Sequence, residues 1–253
     1  MKNMSMYVNM VDPRKKDYFY EEAIKTLRTN LQFSGNNVKC ILLTSAFPNE
    51  GKSDIIVQLA KEFGQIEKRV VIVDADIRRS AMINRYNVRR KVHGLSHFLN
   101  DMVDLNKIIY KTSFINVDMI FAGQSVPNPS ELLAEQYFED LIAYLREEYD
   151  YVLIDTPPIM SVIDASVVAR VCDCAVMVEE SGRVSYRVAQ KCLAQLAKVE
   201  CRLLGTVLNK VDVQKDRYYH RYGYYNKYSR YDKYYNAALE QEKKEEEQRE
   251  KGQ

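Results

Sequence analysis

The segment Ala46-Phe-Pro-Asn-Glu-Gly-Lys-Ser53 combines residue types that can hold phosphate groups. Backbone N–H groups of such a loop, and the amino end of a helix that follows it, attract anions. Gly51 permits close approach of the backbone, Lys52 can reach the β and γ phosphates, and Ser53 can offer its hydroxyl to Mg²⁺. An exposed turn is the alternative. We expect a nucleotide to be bound by Phe47, Pro48, Asn49, Glu50, Gly51, Lys52, Ser53 and Asp54.

Two further apolar runs end in carboxylates. One run ends at Asp74 and is followed by Asp76, and two residues of an extended chain that are two positions apart lie on the same side. These two acids could share a metal ion and its water. The other run ends at Asp155, before two prolines, and suits an acid in the outer shell of magnesium. An acid at the end of a strand is more often a helix cap or a turn residue, but three in register with a phosphate loop favour a metal site.

The string Asn209-Lys-Val-Asp212 follows the last apolar run. It matches the Asn-Lys-x-Asp string of guanine-specific switches, so GTP has to be considered. No Asp-x-x-Gly segment with a water-positioning Gln accompanies it, and Asn209 can equally meet the edge of an adenine. We therefore predict ATP over GTP, with Asn209 as a further nucleotide-binding residue.

The elements that position these residues are apolar β-rich runs alternating with segments of helical period. Alternation of this kind predicts an α/β fold of the P-loop NTPase type, with a mostly parallel sheet and helices on both faces. Ligands bind beyond the carboxyl ends of such strands, where all three motifs fall. The predicted strands are 41–45, 70–74, 117–121, 151–155, 175–178 and 203–208, and the predicted helices are 54–67, 130–148, 163–171 and 184–199.

Composition excludes several other classes of protein. The 253 residues carry a net charge of +2, so no global field favours nucleic acid or an anionic membrane. No apolar run reaches the length of a spanning helix, and the first ten residues do not form a secretory signal, so a cytoplasmic protein is expected. The five cysteines are read as reduced core residues. His93 and His97 have no third metal ligand nearby and are read as a solvated helix face.

The carboxy-terminal part has a different character. Residues 213–236 form a tyrosine-rich segment predicted to be flexible, and the stretch from Lys215 to Tyr235 has a local charge of +4. Base stacking or a membrane interface is the alternative use of such a strip. Phosphorylation of all nine tyrosines would change its charge to between about −10 and −14, which makes a switch. The tyrosines are Tyr218, Tyr219, Tyr222, Tyr224, Tyr225, Tyr228, Tyr231, Tyr234 and Tyr235, and a charged tail, 237–253, follows them.

Together, the phosphate loop, the two acidic strand ends and the tyrosine cluster resemble the bacterial tyrosine kinases of capsule and exopolysaccharide synthesis. The resemblance covers roughly 20–235 and includes Leu27-Arg-Thr-Asn-Leu-Gln-Phe33, Phe121-Ala-Gly123 and Pro129-Ser-Glu-Leu-Leu133. It implies an enzyme that uses ATP and Mg²⁺ to phosphorylate protein tyrosine, including its own tail in trans. The catalytic residues that it implies are Lys52, Asp74 as base for the tyrosine hydroxyl, Asp76 and Asp155, with the metal ordered by Ser53, Asp76 and Asp155.

The resemblance also implies partners. Family members form rings through a Glu-x-x-Arg-x-x-Arg helix, which here reads Glu22, Lys25 and Arg28. Because Lys lacks the bidentate fork of Arg, Lys25 weakens the expectation of a ring, and a simple polar helix face is the alternative. A transmembrane activator would hold the enzyme at the inner face of the membrane, and a cognate phosphatase would reverse the reaction. The implied domains are 1–20 for docking, unless it is only a loose terminus, and 21–212 for the kinase.

One residue departs from the family pattern. Asp54 stands where the family usually has Thr, and a carboxylate beside phosphate repels it unless it points away. Two rival functions therefore stay open. A MinD or ParA type of ATPase switch shares the fold and the acids, but it carries a Lys where this chain has Phe47, and it lacks a tyrosine tail. A scaffold with an impaired nucleotide site is the other.

Overall fold

The computed structural model describes residues 6–15, 17–35 and 37–212. Within them the chain contains eight strands in one sheet, ordered β1-β4-β5-β3-β6-β2-β7-β8. Neighbouring strands pair in parallel, except that β4 is antiparallel to β5. The strands are β1 Met6–Val8, β2 Cys40–Ser45, β3 Val70–Asp74, β4 Ile109–Thr112, β5 Val117–Ile120, β6 Tyr151–Asp155, β7 Cys174–Glu180 and β8 Leu203–Asn209.

The helices connect these strands in the expected alternation. They are α1 Tyr18–Phe33, α2 Lys52–Gln65, α3 Met82–Arg85, α4 Leu95–Leu99, α5 Pro129–Ala134, α6 Gln136–Glu148, α7 Asp164–Ala169 and α8 Tyr186–Lys198, with a short 3-10 helix at Leu105–Lys107.

Internal contacts divide the chain into two compact units. The first comprises Met1–Arg14 and Ile24–Lys210, and it contains the sheet and the candidate site. The second comprises Lys15–Ala23 and Val211–Gln253. Among its described residues, the Asp17 carboxylate accepts a hydrogen bond from the N–H of Tyr20, at 3.2 Å, which satisfies one of the unpaired donors at the start of α1.

Both faces of the sheet are covered. Alternate residues of the central strands, such as Leu42, Val73 and Ile154, belong to a core cluster that also contains residues of α6, α7 and α8. The opposite face includes Tyr151, whose ring stacks on that of Phe63 in α2 with centroids 3.9 Å apart. Since successive side chains of a strand alternate between faces, the helices lie on both sides. The predicted fold class is confirmed.

Comparison with the predicted elements shows where the sequence pattern was sufficient. All six predicted strands are present and form the parallel part of the sheet. The single helix predicted at 130–148 was wrong, because Glu135 adopts an extended conformation (ψ 152°) that separates α5 from α6. The solvated-face interpretation of the two histidines also fails for His97, which is buried and whose Nδ1 accepts the N–H of Gly94 at 3.1 Å. All five cysteines are free thiols.

Candidate active site

The phosphate loop lies between the end of β2 and the start of α2, as predicted. Gly51, the residue directly before α2, has a left-handed backbone (φ 93°, ψ 13°), which disfavours side chains other than hydrogen. A Cβ atom placed at Gly51 would lie 2.1 Å from Nδ2 of Asn209. Both the conformation and the close approach therefore require glycine at this position.

The loop offers a series of backbone donors. No hydrogen bond to another described residue uses the N–H groups of Asn49 through Ser53. The N–H of Phe47 is used, because it donates to the Glu50 carboxylate at 2.8 Å. The amino end of α2 follows directly, with the positive end of its dipole toward the loop. These free donors fit phosphate oxygens, which accept hydrogen bonds and carry negative charge.

Side chains at and directly after the end of β8 stabilise the conformation of the loop. Asn209 donates from Nδ2 to the carbonyl oxygen of Glu50 at 2.8 Å, and Lys210 donates from Nζ to the carbonyl oxygen of Asn49 at 2.7 Å. Lys210 also pairs with the carboxylate of Glu180, at 3.1 Å. The Asn-Lys part of the string therefore contacts the loop backbone. A role for Asn209 in binding the base stays a prediction.

Ser53 and Asp155 form the centre of the site. The Ser53 hydroxyl donates to Oδ2 of Asp155 at 2.6 Å, although the two residues are 102 positions apart. Oδ1 of Asp155 is buried and has no hydrogen-bond partner among the described residues. A buried carboxylate oxygen without a partner is costly unless a metal-bound water or another donor satisfies it. The pair is therefore suited to a hydrated cation such as Mg²⁺.

Asp74 lies beside Asp155, because the two are register partners in β3 and β6. It is fully buried and accepts hydrogen bonds from the Ser80 hydroxyl and from the N–H of Asp76. Burial, the charge of Asp155 and that of Asp76 together raise the pKa of Asp74 well above its usual range. A carboxylate with a raised pKa accepts a proton more readily than an ordinary one, which is what a general base needs. Sequence reasoning missed Ser80.

The loop after β3 is held in place by an ion pair to a buried carboxylate. Arg78 donates to both carboxylate oxygens of Asp164, at 2.6 and 2.9 Å, and to the Ser130 hydroxyl at 2.9 Å. Asp164 is fully buried at the start of α7. This bidentate arrangement fixes the segment that carries Asp74 and Asp76. No local pattern indicated it, since Arg78 and Asp164 are 86 positions apart.

Asp54 lies in the first turn of α2 and forms an ion pair with Arg85 of α3. Burial raises its pKa, and the neighbouring charge of Arg85 opposes that shift. The Asp54 carboxylate, which was expected to repel phosphate, thus has a cationic partner that sequence reasoning missed.

The predicted ring residues Lys25 and Arg28 lie on α1, as does Glu22. Arg28 contacts Glu62 of α2, with Nη1 3.4 Å from Oε2. Both side chains are mostly buried, at 18% and 12% exposure. Arg28 therefore has a partner within its own chain. The nine candidate acceptor tyrosines, Tyr218 to Tyr235, lie outside the described residues.

Comparison with known proteins agrees with this geometry. A protein-family model described as an AAA domain matches residues 41–207, which identifies the class as a nucleotide-binding P-loop domain. The chain is 37% identical over 205 residues to the tyrosine-protein kinase CpsD of Streptococcus pneumoniae, an alignment covering 80% of this chain and 90% of that protein. The chain belongs to the bacterial tyrosine-protein kinase family.

Solved structures support the same assignment. The kinase domain of the Escherichia coli tyrosine kinase ETK matches with a TM-score of 0.73 and 29% identity, covering 82% of this chain and 90% of that one. MinD of Pyrococcus horikoshii, solved with Mg-ADP, matches with a TM-score of 0.61 and 22% identity over 70% of this chain and 72% of its own. That second likeness concerns the fold alone, so the rival ATPase switch is a distant relation.

A search of the described residues for a membrane-spanning segment found no helix of sufficient length and apolar character.

Proposed function

We propose that the chain binds ATP and Mg²⁺ at the phosphate loop and transfers the γ-phosphate to the hydroxyl of protein tyrosine. The observation that supports this most directly is the pairing of Ser53 with Asp155, which leaves a buried carboxylate oxygen without a partner beside a loop of free N–H groups. Membership of a tyrosine-protein kinase family supplies the reaction.

The residues have distinct roles in this proposal. Lys52 begins α2, forms no ion pair with another described residue, and would contact the β and γ phosphates. Ser53, Asp155 and Asp76 would hold Mg²⁺ with its waters, and the bound ion would offset the charge of the phosphates. Asp54 lies at the same turn, and its own charge is offset by Arg85.

Asp74 is proposed to accept the proton of the tyrosine hydroxyl. The phenol oxygen then forms a bond to the γ phosphorus, the bond from that phosphorus to the bridging β–γ oxygen breaks, and ADP leaves. A phenol has a pKa near 10, so it is a weak nucleophile until a base removes its proton. The proposed substrates are the tail tyrosines between Tyr218 and Tyr235 of a neighbouring chain.

The biological setting is proposed from the family. The enzyme would act in capsule or exopolysaccharide synthesis, at the inner face of the membrane, through a transmembrane activator and against a tyrosine phosphatase. A ring of identical chains, with Glu22, Lys25 and Arg28 at its contacts, would bring each tail to a neighbouring site.

The test is the intact mass of the full chain after incubation with ATP and Mg²⁺. We expect a series of added phosphates that map to Tyr218 through Tyr235 and that disappear in Lys52→Met. The matched control is Lys198→Met, an exposed lysine at the end of α8, which should leave the series intact. Binding of nucleotide without any phosphate on tyrosine, with and without an activator's peptide, would contradict the kinase and favour an ATPase switch. If the chain neither binds nucleotide nor gains phosphate on tyrosine, the scaffold function is favoured.

A further inference from the structure

The Asp54 carboxylate is mostly buried beside the phosphate loop and is only partly satisfied by hydrogen bonds. Asp54 directly follows Ser53, and its side chain is only 13% exposed. Arg85 donates to Oδ2, whereas Oδ1 is buried and has no hydrogen-bond partner among the described residues. Asp54 also lies close enough to Asp155 for its charge to contribute to the raised pKa of that residue. A third, mostly buried carboxylate therefore adjoins the place where phosphate and metal would bind.

An uncompensated carboxylate here would oppose the binding of a polyphosphate. Two unit charges interact with an energy that falls only as the inverse of their distance, and burial weakens the screening by water. An acid in the first turn of a helix is favourable when no ligand is present, because it faces the positive end of the dipole. That benefit becomes repulsion once two or three phosphate charges occupy the same helix end.

We propose that Arg85 neutralises Asp54 and thereby allows the loop to bind a nucleoside di- or triphosphate. Arg85 is thus a positioning residue for the nucleotide, acting through Asp54. The inference rests on the proposed nucleotide site. It assigns a function to α3, a four-residue helix whose last residue is Arg85.

The other charges nearby do not replace Arg85. Arg14 and Asp12 both influence Asp54 electrostatically, but with opposite signs. The carboxylate of Asp12 is itself paired with Lys61 and hydrogen-bonded to Gln58. Among the described residues, the ion pair that Asp54 makes is with Arg85.

The experiment is a double-mutant cycle measured as Mg²⁺-ADP affinity by calorimetry. We expect Arg85→Met to weaken binding at least about tenfold, because it leaves the charge of Asp54 uncompensated. Asp54→Asn should bind Mg²⁺-ADP more tightly than the wild type. The double variant should bind Mg²⁺-ADP less than about threefold more weakly than Asp54→Asn alone. Arg85→Lys should retain most of the affinity, because it keeps the charge.

Two further readouts separate electrostatics from structural damage. The loss in Arg85→Met should be greater for ATP than for ADP, since ATP carries one more negative charge. Arg89→Met is the matched control, because Arg89 is exposed and makes no ion pair within the described part of the chain. If Arg85→Met does not fold, Arg85→Lys and the double variant carry the same test.

The outcomes are distinct. The inference would be overturned if removing Arg85 weakened Mg²⁺-ADP binding equally with and without Asp54. It would also be overturned if Arg85→Met bound Mg²⁺-ADP as well as the wild type does. Neither result would contradict the proposed nucleotide site. A wild type that binds neither nucleotide would overturn the proposed function, and this inference with it.

Discussion

Asp74 and Asp155 are register partners at the carboxyl ends of neighbouring parallel strands, and both are buried. Two adjacent carboxylates repel each other, and burial disfavours the charged form of each. The pKa of both groups is raised above the usual range, with burial as the largest cause. Each carboxylate has other acids nearby and accepts a hydrogen bond from a serine hydroxyl. The positive charge of Lys52 lowers the pKa of Asp155, whereas the pKa of Asp74 is raised well above its usual range. This asymmetry favours Asp74 as the group that receives a proton.

Replacement of Asp74 by Asn should remove kinase activity and stabilise the fold at the same time. Because the folded pKa is raised above 3.8, the folded state loses stability as pH rises from about that value. Asn removes this cost. We expect the free energy of unfolding at pH 7, without Mg²⁺, to rise on the order of 1 kcal/mol.

The gain should shrink as the pH falls toward 4, which urea denaturation across pH 4 to 8 would measure. Asp101→Asn, at an exposed turn, is the control and should show no such trend. A stability difference that is constant with pH would contradict the assignment of the raised pKa to Asp74.

Substitution of Gly51 by Ala should impair both the fold and nucleotide binding. The new Cβ would lie 2.1 Å from Nδ2 of Asn209, and the alanine backbone would have to adopt φ 93°. Gly182→Ala is a matched control, because Gly182 has φ 73° but nothing within 4 Å of its added Cβ. Gly182→Ala should cost about 1 kcal/mol in unfolding free energy, from conformation alone.

Gly51→Ala should cost more than that control and should also weaken binding of Mg²⁺-ADP. Chemical denaturation and calorimetry would measure the two effects. Equal destabilisation by the two substitutions, with full nucleotide affinity, would show that the loop yields to the added methyl group.

The central fold was predictable because it is encoded by short, local patterns. Strands β2, β3 and β5 are buried along their whole length, and β6 is buried after its first residue, so each appears in the sequence as a mainly apolar run. Strands β1 and β4 were missed. They have three and four residues, lie at and near one edge, and include exposed positions such as Lys111 that interrupt the apolar pattern.

The acids of the site were predictable for a similar reason, since Asp74 and Asp155 each end an apolar run at the edge where ligands bind, and Asp76 follows Asp74. Their partners were not. Arg85 is 31 positions from Asp54, and Arg78 is 86 positions from Asp164. Pairings of this kind depend on how separate connections between strands meet, and no periodicity within a single segment records that.

Substitution of Asn209 by Ala distinguishes two roles for this residue. The structure shows Nδ2 bound to the Glu50 carbonyl oxygen, so we expect a looser loop and weaker binding of ATP and GTP by a similar factor, about three- to tenfold. If Asn209 instead recognises the base, the ratio of ATP to GTP affinity should change. Competition binding of the two nucleotides measures this ratio. Lys210→Met, which removes the adjacent contact to the Asn49 carbonyl oxygen, should also leave the ratio unchanged.

Arg28 provides a test of how the predicted ring contact relates to the fold. Its guanidinium lies 3.4 Å from the Glu62 carboxylate, and both side chains are largely buried, so Arg28→Ala removes a positive charge from beside that carboxylate. We expect the monomer to lose roughly 1 to 3 kcal/mol of unfolding free energy. The loss should be smaller when Glu62 is also replaced by Gln, because the side chain beside the missing guanidinium is then neutral.

Lys25→Ala is the comparison, since it lies one turn earlier on the same helix. If α1 forms a ring contact, Lys25→Ala should reduce the oligomer in light scattering, and unfolding of the variant monomer would be measured in parallel. Arg28→Ala should reduce both, because its side chain also packs inside the chain. If Arg28→Ala abolishes the oligomer without any change in unfolding free energy, the internal ion pair contributes nothing and Arg28 serves the interface alone.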